Sequence, residues 1–160
     1  MGSFEEIAAI VKRSCTHADA VVDESMVPNG VKVHPLDLKN VCATLHQHPS
    51  AFFDMLSCIT VLDNGPENGT LDVVYNVYSI PFNHHLALKV TLPRDTAEVD
   101  SVEEIWKTAN WHEREAFDMF GITFKGHPDL RRILLPADWE GHPLRKDYTH
   151  QDYYRGVKVD

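Results

Sequence analysis

The hydrophobic pattern predicts an α+β fold: a two-layer sandwich with helices over one sheet face, in the order α-β-β-α-β-β-β, followed by short helices and an extended irregular C-terminal tail. Three observations predict it. Apolar residues recur at helical spacing in two early segments, then at period two from Phe52 to Leu92. After Gly121 no period persists, yet Phe124, Leu130, Ile133, Leu134, Leu135, Trp139 and Leu144 make that region too apolar for disorder. The expected division is therefore an α+β domain over residues 1–121 and a tail over 122–160 that packs on the domain and on partner subunits.

The elements follow in order. Ser3 and Glu6 form a capping box ahead of Phe4, Ile7, Ala8 and Val11, which share one helical face. Two β-branched runs, Asp19 to Asp23 and Gly30 to His34, flank "PNG" and read as a strand pair. Pro35 suits a first helical turn, and Leu38, Val41, Cys42 and Leu45 carry a second helix until His48 and Pro49 stop it. The period-two region splits into three strands at "DNGPENG" (63–69) and "SIPFNHH" (79–85), an antiparallel meander. Its last run sets Leu86, Leu88, Val90 and Leu92 against Ala87, Lys89 and Thr91. Two short helices are then expected, one capped by Ser101 with Glu104, the other by Asn110 with Glu113 and ending at Gly121.

Composition narrows the function. With 43% apolar and 24% charged residues the chain is that of an ordinary globular protein, and no run reaches the roughly 20 apolar residues a bilayer span requires. The opening "MGSFEEIAAIVKRSC" places acids where a secretory signal carries bases. Cys15, Cys42 and Cys58 are widely spaced with no Cys-x-x-Cys pair, the usage of buried hydrophobes in a reducing compartment. The net charge of −9 is uneven, because residues 125–160 carry seven Lys and Arg against six Asp and Glu while the rest is strongly acidic. A pI near 5.5 argues against a nucleic-acid binder.

The motifs argue against chemistry by the chain alone. In "WHEREAFD", His112 and Glu113 begin a helical zinc motif, but Ala116 stands where the second histidine belongs. Glu115 and Asp118 share a helix face, and with His127 they form the candidate centre of a small hydrolase. The plainer reading has Glu113 capping its helix and Arg114 paired with Asp118. The ten histidines form no ligand set, and nucleotide, phosphate and acyl-transfer signatures are missing. Gly-His-Pro occurs twice, at Gly126-His127-Pro128 and Gly141-His142-Pro143, each soon followed by a basic pair, Arg131-Arg132 and Arg145-Lys146. Glycine before and proline after fix the backbone, so each imidazole is expected to bracket a turn.

The runs "EREAFDMFGITFKGHPDLRRILLP" (113–136) and "DWEGHPLRKDY" (138–148) resemble the signature of the thirty-kilodalton subunit of proton-pumping NADH:quinone oxidoreductase, respiratory complex I. Glu113, Arg114, Glu115, Asp118, Gly121, Phe124, Gly126, His127 and Pro128 fall where that family's pattern has them. Upstream of about residue 100 the resemblance rests on element order, and after Tyr148 the tail "THQDYYRGVKVD" departs from the expected form. The resemblance implies a peripheral-arm subunit that binds no flavin or iron–sulfur cluster itself, in a complex that uses NADH, FMN, iron–sulfur clusters and quinone; the lack of clustered cysteines adds the expectation of no bound metal. It implies as partners the large quinone-site subunit and its iron–sulfur neighbours, with no nucleic acid and with the membrane met only through the complex, on the cytoplasmic face of a bacterial plasma membrane. Arg131, Arg132, Arg145 and Lys146 would then be donors for neighbouring subunits. The homologous subunit of a membrane-bound hydrogenase or ferredoxin-fed quinone reductase is the alternative that the motif admits.

Overall fold

The computed structural model of the chain describes residues 3–159. Helix α1 (Phe4–Ser14) starts at the predicted capping box: Glu6 N–H donates to Ser3 Oγ at 3.4 Å and Ser3 N–H to Glu6 Oε2 at 2.9 Å. Strands β1 (Val21–Asp23) and β2 (Gly30–Lys32) pair antiparallel, and a 3-10 turn at Pro35–Asp37 leads into α2 (Leu38–Gln47). The meander is β3 (Met55–Asp63), β4 (Thr70–Ser79) and β5 (His84–Pro93). All five strands form one sheet in the order β1-β2-β5-β4-β3, antiparallel except where β2 runs parallel to β5.

Alternation along the strands builds the core. Leu86, Leu88, Val90 and Leu92 of β5 and Leu71, Val73, Tyr75 and Val77 of β4 are all at most 1% exposed and belong to one cluster with Val11 of α1 and Leu38, Val41, Cys42 and Leu45 of α2. Each such aliphatic side chain contributes about 1.5–3 kcal/mol by leaving water. Lys89 and Thr91 are half-buried on the other face, but Ala87, expected beside them, is fully buried. Cys42 is buried, whereas Cys15 and Cys58 are half-buried.

Three expectations require correction beyond the meander. Residues 101–108 form turns and no helix, because Ser101 Oγ, while accepting from Glu103 N–H at 3.2 Å, donates to Glu113 rather than starting a helix with Glu104. The next helix, α3 (Ala109–Phe120), begins one residue before Asn110, with no side-chain cap. It does end at Gly121, in the left-handed region at φ +74°. The region after Gly121 also contains regular structure. Strand β7 (Thr123–Lys125) pairs in parallel with β6 (Glu98–Asp100), and β8 (Tyr153–Tyr154) with β9 (Val157–Lys158) makes a small hairpin. Ladders of two or three residues are too short to show a period. Among the described residues no helix is long and apolar enough to cross a membrane.

Candidate functional site

The signature segment is organised around Asp118. Its carboxylate is fully buried on α3, where Oδ2 accepts from the N–H groups of Ile133, Leu134 and Leu135 at 3.0, 2.8 and 2.9 Å. Arg132 Nη1 donates to Oδ1 at 2.6 Å, and its Nη2 donates to the carbonyls of Trp139 and Gly141, both at 2.9 Å. Burial alone would raise this carboxyl's pKa; the donors, Leu135 N–H foremost and then Arg132, outweigh it and hold the group ionised below its ordinary range. One buried acid thus fixes an irregular backbone that has no ladder of its own. The expected Arg114–Asp118 pair is absent, since Arg114 instead donates from Nε and Nη2 to the carbonyls of Arg131 and Arg132, both at 3.2 Å.

Glu113 is not a cap. It too is fully buried, with Ser101 Oγ donating to Oε2 at 2.6 Å and Val102 N–H to Oε1 at 2.8 Å, so it ties α3 to the 101–105 turn. Neither donor carries charge, and burial raises its pKa to about 7. Glu115 is exposed and, among the described residues, makes no hydrogen bond or ion pair.

Both Gly-His-Pro imidazoles bracket backbone. His127 donates through Nε2 to Asn110 O at 3.0 Å and accepts at Nδ1 from Asp129 N–H at 3.0 Å. His142 donates through Nδ1 to Asp118 O at 3.0 Å, and burial keeps its pKa below the ordinary value. Gly126 and Gly141 take φ of +79° and +78°, which places Pro128 and Pro143 after left-handed turns. Asp118 and His127 therefore serve separate backbone locks while Glu115 stands in solvent, and no hydrolase centre is assembled from them.

Of the four cations that the sequence offers to neighbours, two are engaged within the chain. Arg132 holds Asp118, and Arg145 donates from Nε to Phe120 O at 2.7 Å and from Nη2 to Arg94 O at 3.3 Å. Arg131 stays outside, its side chain 70% exposed beside Asp129 at 2.8 Å, and the Lys146 ammonium is exposed without a partner among the described residues.

A second lock has no signal in the sequence. Arg94, 5% exposed, donates from Nε and Nη2 to Asp63 at 3.1 and 3.0 Å and from both terminal nitrogens to Asp147, while Lys146 N–H donates to Asp63 Oδ2 at 2.7 Å. Arg94 holds the Asp63 carboxyl far below the usual carboxylate range. Asp63 sits in a turn run and Arg94 follows a strand end, so neither belongs to a periodic pattern that would have marked it. Among the described residues no group of three or more His, Cys, Asp or Glu is placed to hold a metal ion.

The comparisons with known proteins point one way. The sequence model of the family described as "Respiratory-chain NADH dehydrogenase, 30 Kd subunit" matches residues 31–154. An NADH-quinone oxidoreductase subunit of Chlorobium phaeobacteroides is 48% identical over 121 residues, 75% of this chain and 72% of that protein. The corresponding NADH-quinone oxidoreductase subunit of Chloroherpeton thalassium is 52% identical over 108 residues, 67% of this chain and 44% of that longer protein. A chain of the membrane-bound sulfane sulfur reductase, an archaeal respiratory membrane complex, shares the fold at TM-score 0.74 and 21% identity, covering 97% of this chain and 98% of its own. A trypsin-resistant fragment of Nqo5 superposes at TM-score 0.54 with 25% identity, covering 69% of this chain and 89% of the fragment.

Proposed function

Because the chain belongs to the family of the 30 kDa subunit of respiratory-chain NADH dehydrogenase, we propose that it is a peripheral-arm subunit of an NADH:quinone oxidoreductase, required for assembly and for shaping the quinone-reducing module. In this reading it binds no redox cofactor itself, and NADH, FMN, iron–sulfur clusters and quinone are handled by other subunits. Residues 1–121 are the platform and residues 122–160 the segment that meets partners, chiefly the large quinone-site subunit and its iron–sulfur neighbours, on the cytoplasmic face of the membrane.

One observation carries this reading: buried charges on α3 and the sheet hold a long irregular segment rigid while Arg131 and Lys146 stay in solvent. A surface whose backbone is fixed before contact loses little conformational freedom on binding. The NADH-linked complex is favoured over a hydrogenase or ferredoxin-fed relative by the 48% and 52% identities to NADH-quinone oxidoreductase subunits. The test is complementation. A strain lacking this chain is expected to lose NADH-driven quinone reduction in its membranes and to regain it with the wild-type chain, whereas R131E with K146E restores little although the isolated variant melts normally. Restoration by the double variant to the wild-type level removes these two cations from the interface.

A further inference from the structure

We propose that the outer flank of α3 is a docking groove for a segment of a neighbouring subunit that carries two apolar anchors with a lysine or arginine between them. This rests on the subunit reading above. Two adjoining cavities lie along the helix, of about 580 and 270 Å³. Trp111, Ile133 and Leu134 line the first, Ile59, Met119 and Leu144 the second, and His112 with Glu115 line both. Trp111, Leu134 and Leu144 are 71%, 63% and 55% exposed, so large apolar side chains cluster in water along one flank, the mark of an interaction surface rather than of scattered single residues.

The walls are fixed in advance. One is α3 itself; facing it, the second cavity has Ile59 and Val61 of β3, and the first has the strip at Ile133 and Leu134, whose backbone N–H groups are pinned to the buried Asp118 carboxylate at 3.0 and 2.8 Å. Such pre-organisation lowers the ordering cost of an incoming segment. Charge selects the occupant, since Lys107, among the described residues the one lysine or arginine lining either cavity, is already paired with Glu103 at 3.0 Å. Where the cavities meet stands Glu115, an acid that no group of the described chain pairs, on a protein of net charge −9. A second copy would set one acidic chain against another, and an anionic lipid surface is repelled for the same reason. A partner with a basic residue between two apolar anchors fills both cavities and pairs Glu115 as it leaves water.

The test places a photo-crosslinking benzoylphenylalanine at position 111, and separately at 134, of the chain in the complex assembled in membranes. The expected product is a cross-link to one segment of another subunit that contains a Lys or Arg beside apolar residues. E115K is then expected to reduce recovery of the chain with the complex about tenfold without changing the melt of the isolated chain. Reversing the partner's basic residue to Glu should restore recovery. Cross-links only to a second copy or to lipid, no cross-link at either position, or normal assembly of both E115K and W111A overturns the proposal. If the wild-type chain is not recovered with the complex, the subunit reading fails and takes this one with it; wild-type assembly with indifferent groove variants sinks the groove alone.

Discussion

Glu113 and Asp118 lie on one helix, both fully buried, and their pKa values move in opposite directions. Asp118 receives three backbone donors and a guanidinium, Glu113 a hydroxyl and one backbone N–H, so the balance between desolvation and donation reverses. A pH dependence follows. The folded pKa of Glu113, about 7, lies above its ordinary value of 4.5, so between those values the folded chain keeps a proton that the unfolded chain releases. Its contribution is fully present below pH 4.5 and is lost as pH rises to 7, a total of about 3 kcal/mol at 1.4 kcal/mol per unit. Glu113→Gln is expected to flatten that stretch of the melting-temperature profile, and an unchanged slope refutes the assignment. The arginines provide a second prediction. Arg132→Ala leaves Asp118 without its guanidinium, at an expected cost of about 3–5 kcal/mol, whereas Arg131→Ala removes an exposed pair worth about 0–1 kcal/mol. Urea titration of the two variants should separate them clearly; equal midpoints would show that the lock carries no energy.

Helix α3 packs beside β3, with its N-terminal end at the 101–108 turns and its C-terminal end against the tail. At Gly121 the tail's side chains press close on the helix end. A Cβ there would lie 2.5 and 2.7 Å from His142 Nε2 and Cδ2 and 3.0 Å from Arg145 Nη2, and neither side chain can withdraw without releasing a backbone carbonyl, Asp118 O or Phe120 O. Gly126 supplies the control: its φ is +79°, but a Cβ would meet nothing within 4 Å. Gly126→Ala should therefore cost only the left-handed strain, about 1–2 kcal/mol, and Gly121→Ala distinctly more. Chemical denaturation of both measures the difference, and equal losses would mean that the tail yields easily at the helix end. Gly2, the other glycine near a helix end, lies outside the described residues.

At the scale of the molecule, Arg94 links distant parts of the chain. It binds Asp63 at the end of β3 and Asp147 in the C-terminal segment, 53 residues on from itself. Substituting Arg94→Met would leave the buried Asp63 carboxylate without its guanidinium, an expected loss of about 3–5 kcal/mol. Hydrogen exchange should show the Lys146 amide, which donates to Asp63, losing protection before the amides of β4 and β5. Simultaneous loss would show instead that sheet and tail open as one unit.

How much of this was legible depends on the range of the interaction. The first two helices, the five sheet strands and the stop at Gly121 follow from spacing and caps within a few residues of each other, so period and turn chemistry alone determined them. The family was legible by a different route, through a resemblance carried by the contiguous run "EREAFDMFGITFKGHP", and not by period or turn chemistry. The parallel pairings β2–β5 and β6–β7 join residues distant in sequence and leave no local period. Arg132 looked like Arg131 in sequence; only folding decided that one holds Asp118 and the other faces water. The same holds for Ser101 and Glu113, which have the composition of caps but donate and accept across the fold. A side chain's burial is a sum over neighbours that the chain brings together only when packed, and that sum decided which charges became internal locks and which were left in solvent.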